Sequence, residues 1–511
     1  MESRPNLVFI TSDSQRSDTL ACYGNHQIQV PNLNALAGSS HVFENAYITM
    51  PPCAPARSTI MTGLYPHANG CDYDLAALSP QMPTIAELLP DDYHCAFHGH
   101  WSLGDELVPQ HGFTDWVGIR DEWTRHASKP EYRKWFSGYH QFLLANDFQP
   151  NVQRRKDAPA TPDDWRNAMV FDLVTSAELP EPLTKAAFVG GEAVRFIREN
   201  GDHPFVLHTS FLEPHPPCTG PFNDLYAPES VPVGPHFMQV PPANAALVNR
   251  MAAETYFEWR QQDDPDPRPD WIARIAGSRV TPADLRTGAF WRKFRAQYWG
   301  QVTLMDRAVG GILRALDECD LTSRTIVVFT SDHGAMMGDH ALLTTPYLYE
   351  ENVRVPLLIR VPWLADKRGM IPGRASHVDL VPTLLELMGE PIPSHLQGRS
   401  LAPVLQGEAT LEGNDVFIQL HSPANRELWR PCTEDELRIV AGPWRGIVSA
   451  EGWKLNLSPV DQCELYDLNT DPHEQRNLFD DPAQTDRIKT LADRIGTWQE
   501  QTEDSLSLPT V

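Results

Sequence analysis

Two apolar stretches, Asn6–Thr11 (NLVFIT) and Thr325–Thr330 (TIVVFT), decide the fold that this sequence predicts. Each run ends in a polar cluster, Ser12–Ser14 (SDS) after the first and Ser331–His333 (SDH) after the second. Short continuous apolar runs are typical of strands buried on both faces of a parallel sheet. We therefore expect two central strands, with both polar clusters at the carboxyl edge of the sheet, where α/β proteins bind their ligands.

Two further runs extend this prediction. Pro204–Ser210 (PFVLHTS) and Val355–Val361 (VPLLIRV) are also strand candidates. Strands that alternate with helical stretches indicate a parallel sheet. We predict an α/β fold, a large and mainly parallel sheet sandwiched by helices, with the clearest helical patterns over Lys185–Glu199, Phe294–Glu318 and Asp379–Met388.

The composition excludes some classes of protein. The chain carries 42 Lys and Arg residues against 67 Asp and Glu residues, a formal net charge of −25. A surface that follows a nucleic-acid backbone needs clustered Lys and Arg, so we expect no nucleic-acid partner. The hydrophobic content of 41% is that of a folded globular protein. The 45 prolines predict many ordered loops, where functional residues concentrate.

The cysteines and the N-terminus bear on the compartment. Eight cysteines are scattered without a C-x-x-C pair, which indicates reduced thiols rather than a zinc framework or a disulfide scaffold. No apolar run approaches the roughly 18 residues that span a membrane. Residues 1–13 lack the basic and apolar regions of a signal peptide. We predict a cytoplasmic protein with no membrane partner.

The most specific motif is Cys53–Arg57 (CAPAR), which continues as Ser58–Gly63 (STIMTG). It resembles the C-x-P-x-R motif and following T-G pair of the type I sulfatase family, in the alkaline phosphatase-like superfamily. Other blocks resemble family blocks in family order: PNLNALA, GLYPH, SFLEPHPP, VVFTSDHG, YEENVRVPLLIRVP, DLVPTLLELMG, LQGRSL and ELYDLNTDPHEQRNL. The resemblance spans most of the chain and implies an alkaline phosphatase-like fold.

The resemblance also implies a modification and a reaction. In this family a maturation enzyme oxidises the motif cysteine to formylglycine (3-oxoalanine), whose hydrated aldehyde is the nucleophile. Cys53 is the matching residue. The resemblance therefore implies a metal-dependent hydrolase that cleaves sulfate monoesters through a covalent sulfo-enzyme intermediate. Its partners would be a small anionic ester substrate and the formylglycine-generating enzyme.

Physical chemistry agrees with this role for residue 53. Pro55 suits the first turn of a helix, which would place Cys53 near the N-terminus. Free N–H groups and the helix dipole favour an anion there. Arg57 lies one turn further on, and we expect its guanidinium to orient an oxyanion or a sulfuryl oxygen.

Residues after the two central strands match the family's metal positions: Asp13, Asp332 and His333. A divalent metal would favour the deprotonated nucleophile at neutral pH. Oxygen-dominated ligation favours Ca²⁺, with Mg²⁺ as an alternative and Mn²⁺ another if His333 ligates through nitrogen. Most family members have a second Asp where this chain has Ser14, which either coordinates the metal or donates a hydrogen bond.

The substrate side of the site follows the family only in part. His215, held between prolines, matches the histidine that protonates the leaving-group oxygen or binds a sulfuryl oxygen. In Gly99–Gly104 (GHWSLG), His100 replaces a lysine that grips the sulfate and Ser102 a histidine that contacts the nucleophile. Thr344 stands where a second lysine usually lies. We keep His100 and Ser102 as candidate catalytic residues, although the loss of two lysines weakens anion binding.

Two other functions stay open. The phosphonate monoester hydrolase and phosphodiesterase branch also lacks the Lys/His pair of this block, and carries similar C-x-P-A-R and P-H-P-P segments. A diester anion and a sulfate monoester share a charge of −1 and a tetrahedral centre, so the sequence separates them poorly. The third function is a weakened homologue that binds an anionic ligand without turnover, against which the retention of Cys53, Arg57 and His215 argues.

The hydrophobic pattern of the sequence changes after about residue 410, where short segments typical of strands precede a polar helical pattern over Asp486–Glu500. We predict a catalytic α/β domain over 1–410 and a smaller C-terminal α+β domain over 411–511, with antiparallel strands and a terminal helix. Aperiodic insertions at about 117–185 and 220–290 are expected to shape the substrate pocket. The oligomeric state, including a homo-oligomer, is left open.

Overall fold

Fifteen strands lie in the part of the chain that the computed structural model describes, residues 4–121, 124, 127–149, 154–155, 179–261, 287–342, 345–421 and 433–511. They are β1 (Asn6–Ser12), β2 (His41–Tyr47), β3 (His94–Gly99), β4 (Asp115–Gly118), β5 (Phe148–Gln149), β6 (Arg154–Arg155), β7 (Phe205–Ser210), β8 (Thr325–Ser331), β9 (Arg354–Val355), β10 (Leu357–Arg360), β11 (Met370–Ser376), β12 (Val416–Leu420), β13 (Trp444–Val448), β14 (Trp453–Leu457) and β15 (Glu464–Asp467).

The large sheet has nine strands in the order β11-β2-β10-β8-β1-β7-β3-β4, with β9 paired to β2. The block from β8 to β4 is parallel throughout. The predicted mainly parallel sheet is therefore confirmed. The run Val355–Val361 differs from the parallel pattern, since it supplies β9 and β10, which pair antiparallel with their neighbours. Pro356 separates the two strands, because proline has no N–H to donate to a ladder.

Helices cover both faces of the large sheet. They are α1 (Pro31–Gly38), α2 (Cys53–Thr62), α3 (Pro66–Asn69), α4 (Ile85–Leu88), α5 (Gly138–Ala145), α6 (Lys185–Asn200), α7 (Leu247–Gln261), α8 (Gly288–Glu318), α9 (Glu350–Val353), α10 (Leu380–Leu387), α11 (Ala402–Leu405), α12 (Glu434–Val440) and α13 (Thr485–Thr502). Alternate residues of β1 enter opposite cores: Val8 packs with α1, α6 and α8, whereas Phe9 packs with α2, α4 and α10. The helical patterns predicted from the sequence correspond to α6, α8, α10 and α13.

A smaller antiparallel sheet forms near the C-terminus, in the order β12-β13-β14-β15. The helix α13 covers it, with Leu491 and Ile495 packed against Ile447 and Leu455. This α+β unit agrees with the sequence, although the boundary at 410/411 stays a prediction. Residues 150–153, 156–178 and 262–286 lie outside the described structure, so the role of the two insertions also stays a prediction.

None of the described helices is both long enough and apolar enough to cross a bilayer. The compartment predicted from the sequence stays a prediction.

Candidate active site

Two carboxylates meet at the carboxyl edge of the large sheet. Asp13 follows β1 and Asp332 follows β8, and because Ser12 is paired with Ser331 in parallel register, the two residues emerge together. Both side chains are buried. The backbone N–H of Ser14 donates to Oδ1 of Asp332 at 3.0 Å, so the two loops are tied to each other.

The guanidinium of Arg57 holds this carboxylate pair. Nε donates to Oδ2 of Asp332 at 2.8 Å and Nη2 to Oδ2 of Asp13 at 3.0 Å. Nη1 donates to the carbonyl of His100 at 2.6 Å and to Oγ of Ser210 at 2.7 Å. Four of the five N–H groups thus bind protein atoms. The two carboxylates engage much of the guanidinium, and the expected role of Arg57 in orienting an oxyanion or a sulfuryl oxygen stays a prediction.

Burial and neighbouring charges set the ionisation of this group. Burial disfavours the charge of Arg57, but Asp332 and Asp13 outweigh it and raise the pKa of the guanidinium. Burial also opposes ionisation of Asp13, yet His215 and Arg57 hold the pKa of this carboxyl below its ordinary value. Burial and the charge of Asp13 raise the pKa of Asp332. Two carboxylates share one guanidinium, an arrangement that a bound cation would stabilise.

Cys53 and His333 complete the cluster. Sγ of Cys53, the first residue of α2, lies 3.1 Å from Nε2 of His333 and 4.0 Å from Oδ1 of Asp13. Nδ1 of His333 lies 2.7 Å from the carbonyl oxygen of Gly334. A carbonyl oxygen only accepts, so in the neutral ring Nδ1 carries the proton and Nε2 presents its lone pair to the cluster. Four residues each offer one atom that could bind a metal, and these atoms lie within 4.8 Å of one another: Asp13, Cys53, Asp332 and His333.

The thiol of Cys53 is held in its protonated form. Burial raises its pKa, and the charges of Asp13 and Asp332 raise it further. Asp74, in the segment after α3, adds a third negative charge that acts on the same thiol. A protonated thiol is a poor nucleophile. No motif marks the position of Asp74, so the sequence did not predict it.

Ser14 takes one of the two roles that the sequence left open. Its hydroxyl donates to Oδ1 of Asp13 at 2.8 Å. Its φ of 64° lies in the left-handed region, and the hydroxyl of Tyr298 donates to its carbonyl at 2.7 Å. Ser14 therefore hydrogen-bonds the carboxylate that the sequence assigns to the metal.

His100 does not restore the charge of the lysine that it replaces. The buried ring places Nδ1 3.2 Å from Oε1 of Glu106 and Nε2 3.2 Å from Nη1 of Arg120. Burial lowers the pKa of His100 well below its ordinary value, and the charges of Arg120 and Arg57 lower it further. The ring is consequently neutral at pH 7.

Ser102 and Thr344 are the remaining departures from the family pattern. The backbone N–H of Ser102 donates to Oε2 of Glu106 at 3.3 Å. Within the described residues its side chain forms no hydrogen bond with Cys53, and its catalytic role stays a prediction. Thr344 lies outside the described residues.

Arg120 brings a positive charge that sequence analysis missed. It follows β4 and contacts His100 as described above. Burial raises the pKa of Asp74 against the charge of Arg120, and burial lowers the pKa of His215 with the same charge contributing. The only available signal was its position, just past a parallel strand of the same sheet edge. The strand itself has four residues, too few for a clear pattern.

His215 lines a cavity of about 110 Å³ together with Ser14, Phe294 and Tyr298. Its Nδ1 lies 2.6 Å from the carbonyl oxygen of Pro216, so Nδ1 donates and Nε2 remains for proton exchange with a ligand. Burial lowers the pKa of the ring, and Asp13 opposes that effect. The cavity is thus bordered by a positioned histidine next to the carboxylate cluster.

Comparison with known proteins places this arrangement in a family. The sulfatase family profile matches residues 5–390, most of the chain. The chain belongs to the sulfatase family. A second profile, for the C-terminal region of N-sulphoglucosamine sulphohydrolase, matches residues 338–501 of this sulfatase.

Relatives span nearly the whole length of the sulfatase. The uncharacterized sulfatase YidJ of Escherichia coli is 26% identical, over 98% of this chain and 88% of its own. The N-acetylglucosamine-6-O-sulfatase of Bacteroides thetaiotaomicron is 25% identical, over 98% and 87%. The crystal structure of the phosphonate monoester hydrolase of Agrobacterium radiobacter matches with a TM-score of 0.74 at 24% identity, over 98% of this chain and 96% of that chain, and so shares the fold. The predicted family, the alkaline phosphatase-like fold and the prediction of a hydrolase are confirmed.

Proposed function

We propose that this sulfatase hydrolyses sulfate monoesters through a formylglycine derived from Cys53, beside a divalent metal. The observation that carries the proposal is the meeting of Cys53, at the start of α2, with the ligand atoms of Asp13, Asp332 and His333. Membership in the sulfatase family supports the sulfate ester as substrate.

The residues fit a hard divalent cation. Two buried carboxylates share the single guanidinium of Arg57, which leaves one negative charge without a partner. His333 adds a ring nitrogen whose lone pair faces Cys53. Oxygen-rich donors suit Ca²⁺ first, with Mg²⁺ and Mn²⁺ as alternatives. When bound, the ion would favour a deprotonated nucleophile and offset the charge of the sulfuryl group.

Residue 53 would supply the nucleophile after oxidation by a formylglycine-generating enzyme. An aldehyde hydrate there would offer one hydroxyl to attack sulfur, with the ester S–O bond breaking and the alcohol leaving. Deprotonation of the second hydroxyl would then break the C–O bond to the sulfate, release sulfate and re-form the aldehyde. The chain contributes the N-terminus of α2, which favours negative charge at this residue. Burial keeps the unmodified thiol protonated, so oxidation would replace an unreactive group.

The other side chains divide into positioning and proton-transfer roles. Arg57 is a positioning residue, since it fixes both carboxylates. His215 borders the cavity, and we assign its Nε2 to proton transfer with the leaving-group oxygen. Arg120 and His100 lie beside each other at the same edge, where the arginine would attract a small anionic ester.

A phosphodiester or phosphonate-monoester hydrolase is the second candidate. The observation in its favour is the neutral His100 in place of a fixed lysine charge, together with the fold shared with a phosphonate monoester hydrolase. That likeness extends to the fold alone. The family match favours sulfate.

The two candidates differ in their preferred substrate. Protein co-expressed with a maturation enzyme and loaded with Ca²⁺ would be assayed with an aryl sulfate and with a bis-aryl phosphate. We expect a higher kcat/KM for the sulfate, and loss of both activities in Cys53→Ala. A large preference for the phosphodiester would overturn the proposal in favour of the second candidate, and no turnover of either ester would favour a non-catalytic homologue.

A further inference from the structure

A second group of ligand-type side chains lies outside the active-site cluster, where three parts of the chain meet. His236 comes from the segment after β7, Glu351 from α9, and His473 from the loop after β15. One ligand atom of each lies within 4.8 Å of the other two. No residue of this group takes part in the function proposed above.

The local backbone fixes two of these residues. The N–H of His340 donates to the carbonyl of His236 at 3.0 Å, and the N–H of Met238 donates to the carbonyl of Gly338 at 2.8 Å. The N–H of Ala335 donates to the carbonyl of Glu351 at 3.1 Å. The segment that carries His236 and the helix that carries Glu351 are therefore tied to the same loop after β8.

The donor atoms of the group are close together but incompletely satisfied. Nε2 of His236 lies 2.8 Å from Oε1 of Glu351, and Nδ1 of His473 lies 3.9 Å from the same oxygen. The side chains of His236 and Glu351 are 3% and 6% exposed. Nε2 of His236 is within hydrogen-bond distance of Oε1 of Glu351, whereas Oε2 of Glu351 has no hydrogen-bond partner in the described structure. Buried polar atoms without partners are costly, and a bound ion would satisfy them.

The charges around the group also admit a cation. Asp339 lies 3.4 Å from Nε2 of His236, but Arg16 and Arg295 hold its two oxygens at 2.7 Å each. Asp18 also pairs with Arg16, and Glu351 lies beside His236. Together with Asp339, three carboxylates therefore face the two guanidinium groups. Because Asp339 and Glu351 both lie within 3.4 Å of Nε2 of His236, they favour a proton on this ring, and a divalent cation would bind in exchange for that proton. Without the proton, these groups carry a net charge of −1, which is a counter-charge for the cation.

We propose that His236, Glu351 and His473 form a binding site for Zn²⁺ that links the segment after β7 to the C-terminal unit. Two imidazoles and one carboxylate are a donor set that zinc accepts and that calcium does not prefer. Tetrahedral zinc sets its ligand atoms about 3.3 Å apart. His473, whose side chain is 39% exposed, has the freedom to rotate toward the other two. Solvent beside it would fill the fourth position.

Metal content is the direct test. Full-length protein would be stripped with a chelator, loaded with excess Ca²⁺ to occupy the active-site cluster, dialysed against Zn²⁺ and assayed for bound metal. We expect one more zinc per chain in the wild type than in His473→Ala, whose zinc affinity should fall by about 100-fold or more. Exposed His395 offers a matched control, and His395→Ala should bind as the wild type does.

A spectroscopic measurement distinguishes specific metal coordination from nonspecific binding. Co²⁺ in place of Zn²⁺ should give visible absorption in the wild type and in His395→Ala but not in His473→Ala. Equal zinc content and identical cobalt spectra in all three proteins would overturn the proposal and leave the group as a buried ion pair. Sulfate-ester turnover would be measured separately, so failure of the zinc site and failure of the proposed function are distinguishable.

Discussion

Nε2 of His333 lies 3.1 Å from Sγ of Cys53, and this contact joins the loop after β8 to the first residue of α2. Arg57, one turn along the same helix, reaches back to Asp332 and Asp13. The helix α2 thus supplies both the residue at the nucleophile position and the guanidinium group that holds the two neighbouring carboxylates.

Removal of the Cys53 side chain should abolish catalysis and leave the fold intact. Cys53→Ala would lose turnover of aryl sulfates to the background rate, because no other side chain can replace the nucleophile. Its free energy of unfolding should change by no more than about 1 kcal/mol, since the residue is partly exposed at the start of a helix and its side chain is small. Circular dichroism and urea unfolding measure this, with Cys319→Ala as a control that keeps activity. Global unfolding of Cys53→Ala would show a structural role instead.

Arg57 should matter for stability as well as for activity. Arg57→Ala leaves two buried carboxylates without their cation, so we expect a loss of about 3–5 kcal/mol in the free energy of unfolding in the presence of a chelator. Ca²⁺ should restore more stability to this variant than to the wild type, because the metal then replaces the guanidinium as the positive charge beside the carboxylates. Urea unfolding with and without Ca²⁺ checks both points. Exposed Arg476→Ala is the control, and an Arg57→Ala protein as stable as the wild type in chelator would refute the positioning role.

Arg120 should determine the affinity for anionic substrates. Arg120→Ala removes the charge next to His100, so KM for an aryl sulfate should rise about tenfold, which corresponds to about 1.4 kcal/mol. Arg120→Lys should recover part of that loss, because the positive charge is restored without the planar guanidinium. Steady-state kinetics at low ionic strength measures the effect. A KM unchanged in both variants would show that the guanidinium does not act on the substrate.

The pair Arg445–Asp504 should make stability depend on pH. Arg445 Nε and Asp504 Oδ2 are 2.6 Å apart, and although burial opposes ionisation, hydrogen bonds from Arg445 lower the pKa of Asp504. A carboxyl with a lowered pKa in the folded state stabilises the protein above its unfolded pKa of about 3.9, and this contribution is lost as pH falls through the folded pKa. Asp504→Asn should therefore cost about 1–3 kcal/mol at pH 7 and flatten the acid limb of the stability curve.

Unfolding at pH 1.5 to 7 would check that profile, with exposed Asp493→Asn as the matched variant in α13. Parallel stability curves for the wild type and Asp504→Asn over the whole range would contradict the prediction.

The sequence predicted those site residues that lie next to a clear strand pattern or within a motif of fixed spacing. Asp13 and Asp332 follow runs of buried strand residues, and Cys53 lies in a motif with a fixed spacing, so each was predictable. The direction of β10 was not, because the apolar pattern of a strand does not encode whether it pairs parallel or antiparallel. Arg120 also escaped prediction, since only the pairing of β4 with β3 brings it to this edge.

The role of Arg57 shows a second limit. Its position in the motif predicted that it lies near residue 53, but not that two carboxylates, a carbonyl and a hydroxyl already engage its N–H groups. Those partners come from four strands or the residues just after them, β1, β3, β7 and β8. A motif fixes the type and spacing of residues, whereas the competition among hydrogen-bond partners is settled by tertiary packing.

The central claim is that oxidised residue 53 is the nucleophile, and the fraction of oxidised protein tests it most directly. Preparations made with and without the maturation enzyme would be analysed by mass spectrometry of the peptide that contains residue 53, in parallel with aryl sulfate turnover. Oxidation replaces the CH₂–SH of Cys53 by an aldehyde, which removes sulfur and two hydrogens and adds oxygen. We predict that turnover rises in proportion to the aldehyde fraction and extrapolates to zero for the pure thiol. Full activity in a preparation that holds only unmodified Cys53 would contradict the account.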